Sequence, residues 1–123
     1  MARFVILEHR WEGVHWDFML EAGEALRTWA LEAPIAFGVA IPARALADHR
    51  LAYLEYEGEI SRGRGTVRRL DRGTYTAEVW TEDLIRVVLQ GDQVRGMAEL
   101  RRSDIGPSIS PLRWIFRLEG KVD

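Results

Sequence analysis

Apolar and polar residues alternate along most of this chain in short runs, and no window of a dozen residues carries a convincing helical stripe. Period-two alternation marks a strand with one covered face. It predicts strands over residues 3–8, 14–21 and 25–31, the last after a turn around Gly23. Residues 32–43 carry two prolines and a glycine and read as a loop; residues 44–48 read as a strand leading into His49, with a short helix over 40–48 as the alternative. Further strands are expected over 53–57, 65–70, 74–80, 84–89, 94–101 and 112–118. Turn signals stand at Gly58, Gly63 to Gly65, Asp71 to Gly73, Gly91 with Asp92, and Gly106 with Pro107. Many short strands with regular turns give a sandwich or a barrel. The expected fold is mostly β, a sandwich or a barrel of short antiparallel strands with little helix, forming a single domain over residues 1–123.

Composition narrows the chemistry. The chain has no cysteine, which excludes disulfides and thiolate metal sites. The N-terminus lacks a signal-peptide pattern, and no apolar run approaches the length that spans a bilayer. A cytoplasmic monomer with no membrane association is expected. A formal net charge of −2 argues against a surface coated in base for non-specific nucleic-acid binding. The basic residues are unevenly spread, however: Arg62, Arg64, Arg68, Arg69 and Arg72 crowd one segment, and Lys121 is the lone lysine. Arginine suits planar, forked recognition of phosphate. A genome rich in G and C accounts for the same bias equally well.

The three histidines carry the most information. His9 and His15 lie close in sequence to Asp17. Strand alternation places His15, Asp17, Met19 and Glu21 on one face and Trp16, Phe18 and Leu20 on the other. The aromatic face belongs in a core, so the titratable face lines a cleft. Two imidazoles and a carboxylate suit a borderline divalent ion such as Mn, Zn or Fe and leave positions open for water and substrate. A lone histidine is more often a hydrogen-bonded surface residue, and His49 by itself carries little weight. Tyr53 either donates its hydroxyl to a phosphate oxygen or simply packs. Residues 63–66 (GRGT) either expose backbone N–H groups to an anion or form a plain turn. The tryptophans are expected to fill the core, with Trp11 exposed beside His9.

Residues 9–21 (HRWEGVHWDFMLE) resemble the H-x5-H-x-D-x-R-L-E signature of the 3′-phosphoesterase domain of bacterial DNA ligase D. The similarity continues in order along nearly the whole chain. Residues 26–30 (LRTWA) resemble L-x-S-W-A, 48–53 (DHRLAY) resemble D-H-P-L-x-Y, and 56–60 (YEGEI) resemble F-E-G-x-I. Residues 65–67 (GTV), 71–74 (DRGT), 89–91 (LQG), 96–100 (GMAEL) and 112–116 (LRWIF) match later segments. The first motif is specific and the others support it.

The resemblance implies a compact β-barrel holding a divalent metal, most often Mn, with Zn, Co or Fe as other candidates. It implies removal of a 3′-phosphate or a 3′-terminal ribonucleotide from nucleic-acid 3′ ends during non-homologous end joining, alongside other end-joining repair proteins. Carried over by position, His9, Asp17 and His49 are the implied metal ligands, and His15 and Tyr53 engage the scissile phosphate. Two departures stand out. Met19 occupies the position of the motif arginine, and the loop over 61–67 (SRGRGTV) is much shorter than the family's glycine-rich loop. Arg62 or Arg64 is the candidate to restore the missing charge. With no ligase or polymerase segment in the chain, a stand-alone, divergent member is expected. One alternative is a catalytically weak metal- and nucleic-acid-binding module. A remote alternative is a non-haem iron oxygenase using His15, Asp17 and His49, which leaves His9 idle.

Overall fold

The computed structural model describes residues 2–103 and 113–120. It is nearly all antiparallel sheet, as the alternation predicts. The strands are β1 (Arg3–Arg10), β2 (Val14–Ala22), β3 (Ala25–Leu31), β4 (Ala40–Arg50), β5 (Gly58–Glu59), β6 (Thr66–Trp80), β7 (Leu84–Gly91), β8 (Arg95–Arg102) and β9 (Arg113–Gly120). Their order is β1-β2-β3-β4-β9-β8-β7-β6-β5, and β1 also pairs with β6. That extra pairing closes eight strands into a ring, with β5 added on the flank of β6. The Gly106–Pro107 turn and residue 112 lie outside the described residues.

Closing the ring separates two apolar surfaces. Phe4, Ile6, Phe18, Leu20, Trp29, Leu31, Ile41 and Phe116 belong to the larger, interior cluster. Ring contacts link them: Phe18 lies 5.0 Å from Phe116, and Trp29 meets Trp114 edge-on at 5.8 Å. The opposite faces of β1 and β2 supply Val5, Leu7 and Met19 to a second cluster outside the ring, with Leu26, Leu54 and Val67. Trp29 and Trp114 are buried, whereas Trp11 and Trp80 are exposed, so the tryptophans do not all fill the core.

Four sequence expectations are corrected. Residues 40–43 belong to strand β4, not to a loop, and no helix forms over 40–48. Pro42 is tolerated because its carbonyl faces past the end of β3, accepting from the N–H of Glu32 at 3.0 Å, so its missing donor costs no inner ladder bond. Residues 53–57 do not form a strand: Leu51–Leu54 make one 3-10 turn, which turns Leu51 and Leu54 onto the outer cluster. Residues 71–73 are no turn either. They lie inside the continuous β6, where the strand passes from pairing with β1 to pairing with β7. Gly73 is needed there for close approach, since a Cβ would collide with the Gln90 carbonyl. The Asp71 carboxylate accepts from the N–H groups of Gln93 and Val94 (3.2 and 2.7 Å), bracing the β7–β8 turn.

Candidate metal centre

His9 and His15 are cross-strand partners in the β1–β2 ladder, and Asp17 follows two residues along the same face of β2. Their rings lie 4.7 Å apart at 75°. One nitrogen from each ring and one carboxylate oxygen fall within 4.8 Å of one another. His15 Nδ1 is 2.8 Å from Asp17 Oδ1, and His9 Nδ1 is 3.7 Å from Asp17 Oδ2. Asp17 is only 2% exposed, and both of its ion-pair partners are imidazoles. A carboxylate this buried requires positive charge close by. Among the described residues no arginine pairs with it, and the His15 ring, 2.8 Å away, is its hydrogen-bond partner. The donor set of imidazole nitrogen and carboxylate oxygen fits a borderline divalent ion.

Second partners orient the rings. His9 Nε2 donates to the Arg64 carbonyl at 2.9 Å, leaving Nδ1 as the lone-pair nitrogen. His49, at the end of β4, donates from Nδ1 to the Ala47 carbonyl at 2.9 Å, leaving Nε2. Backbone carbonyls commonly fix the tautomer of metal-binding histidines in this way.

His9, Asp17 and His49 line one cavity of about 190 Å³ with Trp11, Tyr53 and Arg64, floored by Leu7, Met19 and Val67. His15 is not among its lining residues. The tight three-residue cluster therefore contains His15 and lacks His49, while the cavity wall contains His49 and lacks His15. Glu21 shares the face of Asp17 but lies away from the cavity, where it accepts the backbone N–H of Arg3 at 2.9 Å; the shared cleft expected for it does not extend that far. Met19 is 1% exposed and packs in the outer apolar cluster.

The loop before β6 forms the rim. Gly65, at φ +85°, brings it against β1: a Cβ there would overlap the Arg10 carbonyl and Trp11. Gly65→Ala is therefore expected to cost about 1–3 kcal/mol for the left-handed backbone alone. The overlap adds to this and pulls the Arg64 carbonyl off His9. A thermal melt alongside metal titration checks both effects.

Neighbouring carboxylates decide which arginines are free. Glu8 lies 3.0 Å from Arg10 and 3.4 Å from Arg68. Desolvation pushes its pKa up, but the hydrogen bonds and charges of those arginines outweigh it and leave the carboxyl below its ordinary value. Arg69 faces Glu57 at 3.9 Å. Among the described residues no carboxylate pairs with Arg62 or Arg64. Arg64 lines the cavity, and its guanidinium donates to the Ser61 carbonyl and hydroxyl (2.9 and 3.2 Å). Arg62, at φ 64°, instead lines a larger groove of about 720 Å³ next to it. That groove, with Arg50, Tyr56 and Ile60 on its walls, is not foreseen from the sequence. The signal available was Tyr56, three residues past Tyr53, at the close of a turn.

The model of the DNA ligase D 3′-phosphoesterase domain matches residues 7–102, a span that includes every residue of this centre. The chain belongs to that family. The multifunctional non-homologous end joining DNA repair protein LigD of Mycobacterium tuberculosis is 33% identical over 110 residues, which is 82% of this chain and 14% of that protein. The multifunctional non-homologous end joining protein LigD of Pseudomonas aeruginosa is 28% identical over 115 residues, 85% of this chain and 14% of that protein. The chain thus spans about a seventh of the length of these relatives. Among the described residues no helix is long and apolar enough to cross a membrane.

Proposed function

We propose that this protein is a metal-dependent phosphoesterase that removes a 3′-phosphate or a 3′-terminal ribonucleotide from nucleic-acid ends in DNA end repair, acting as a single folded domain. The observation that carries this reading is that His9, Asp17 and His49 line one small cavity with Tyr53 and Arg64. His9 and His49 each have one nitrogen committed to a backbone carbonyl, and the other His9 nitrogen lies 3.7 Å from Asp17 Oδ2. A divalent ion held by His9, Asp17 and His49, with Mn as the first candidate, would polarise a phosphoryl oxygen and lower the pKa of bound water.

The chain's own residues supply the rest. Asp17 orients His15 through the 2.8 Å contact, so the His15 Nε2 is the atom that delivers a proton to the departing oxygen. The Tyr53 hydroxyl and the Arg64 guanidinium donate to the non-bridging oxygens, where negative charge concentrates during displacement. For a 3′-phosphate, the bond from phosphorus to the 3′-oxygen breaks as the water oxygen bonds to phosphorus. The products are inorganic phosphate and a 3′-hydroxyl.

The second reading, a binding module with catalysis lost, rests on Met19, an apolar side chain where the motif carries a permanent charge. The oxygenase alternative uses His15, Asp17 and His49 and leaves His9 idle, whereas His9 belongs both to the tight cluster and to the cavity wall.

The test is incubation of the protein and Mn with a labelled primer-template ending in one ribonucleotide. Shortening of the primer by its terminal ribonucleotide, leaving a DNA 3′-hydroxyl end, abolished by chelator and restored by Mn, is the expected result. An unchanged end with Mn, Zn, Co and Fe, in a protein that demonstrably binds metal, decides for the binding module.

A further inference from the structure

The groove of about 720 Å³ beside the metal cavity shares Tyr53 and Ile60 with it, so the two form one continuous depression. Its walls differ in character. Arg50 and Arg62 contribute two guanidiniums that no carboxylate pairs with among the described residues, against one lining carboxylate residue, Glu59. Tyr56 lines the same groove, 40% exposed, and belongs to neither apolar cluster. Its hydroxyl donates to the Glu59 carbonyl, and its ring meets Tyr53 edge-on at 6.0 Å and 87°. The ring is thus held at its hydroxyl and against Tyr53 while 40% of the residue stays exposed. Fixed aromatic faces flanked by unpaired arginines are how proteins hold unpaired nucleotides, because every base has a π-face and every linkage a charge. The volume lies within the range of small-molecule sites.

We infer that this groove binds the unpaired nucleotide adjoining the phosphate in the metal cavity, with its base stacked on Tyr56 and its backbone between Arg50 and Arg62. The inference rests on the phosphoesterase reading for the position of that phosphate, and assigns Tyr56 a binding role.

The test is fluorescence anisotropy of the full chain with labelled single-stranded-ended oligonucleotides in chelator, comparing a normal end with one carrying an abasic residue next to the terminus. Tyr56→Leu is expected to weaken binding of the normal end about ten-fold or more. It should leave the abasic end nearly unaffected, whereas Tyr56→Phe should bind as the unsubstituted protein does. Arg50→Gln is expected to reduce the slope of log affinity against log salt by about one. Equal affinity of Tyr56→Leu and the unsubstituted protein for both ends overturns the stacking role. So does equal weakening for both ends. Circular dichroism and the Phe variant separate loss of stacking from misfolding. If Tyr56→Leu shows the base-dependent loss but the unsubstituted protein leaves every end intact, the groove stands and the phosphoesterase reading fails. If ends are processed and Tyr56→Leu leaves KM unchanged, the reverse holds.

Discussion

Asp17→Asn is expected to lower metal affinity by more than roughly 100-fold, the upper range for disturbing a ligand's supporting partner, and to take turnover to background. The substitution keeps the side chain's shape and an oxygen to accept from His15, 2.8 Å away, so the imidazole stays oriented. What disappears is the charge. Asp17 is buried to 2% exposure, and among the described residues imidazoles are its ion-pair partners. The metal-free variant should melt close to the parent, since Asn keeps the shape and the acceptor for His15. The parent should gain stability on adding Mn, by mass action on the folded form, and the variant should not. Calorimetric titration with Mn and paired melts check this. Unchanged Mn affinity in Asp17→Asn would place the metal elsewhere and remove the basis of the phosphoesterase reading.

The sheet and the histidine cluster were legible because both follow from alternation. His15 and Asp17 are two residues apart on one strand, so they must share a face, and residues 16, 18 and 20 must take the other. That Met19 is packed beneath rather than open to solvent was not legible. Alternation assigns a face, but it cannot say that the 3-10 turn at Leu51–Leu54 and residues around Ile60 fold over that face. The same cover explains the misread strand at 53–57: a leucine at 51 and another at 54 fit one 3-10 turn better than a strand. His49 reached the site through the family resemblance, since nothing local ties a histidine at the end of β4 to one in β1. Gly73 shows the reverse error. A glycine after Asp71 looks like a turn, but glycine also serves where two backbones touch, and only the β6–β7 approach tells the two uses apart.

Arg64 is the one guanidinium among the residues that line the metal cavity, and Met19 sits on the floor of the same cavity. Removing one preorganised donor to a developing oxyanion commonly costs roughly 10²–10³ in rate. Arg64→Ala is therefore expected to lower kcat by about that factor with little change in Mn affinity. The truncation spares the backbone carbonyl that accepts from His9 at 2.9 Å, so the ligand side of the site keeps its support. Met19→Arg alone should do little for rate while Arg64 is present. It should also lower stability, because the longer, charged side chain enters a packed cluster with Leu7, Leu26 and Val67. In the Arg64→Ala background the same substitution should recover part of the lost rate, since the new guanidinium then replaces the side-chain charge removed with Arg64. The four proteins form a double-mutant cycle whose coupling is read from kcat. Two patterns defeat the charge argument. If Arg64→Ala turns over as fast as the parent, no lining arginine is needed. If Met19→Arg raises the parent's rate as much as the truncated variant's, the two positions act independently and Arg64 has not replaced the motif arginine.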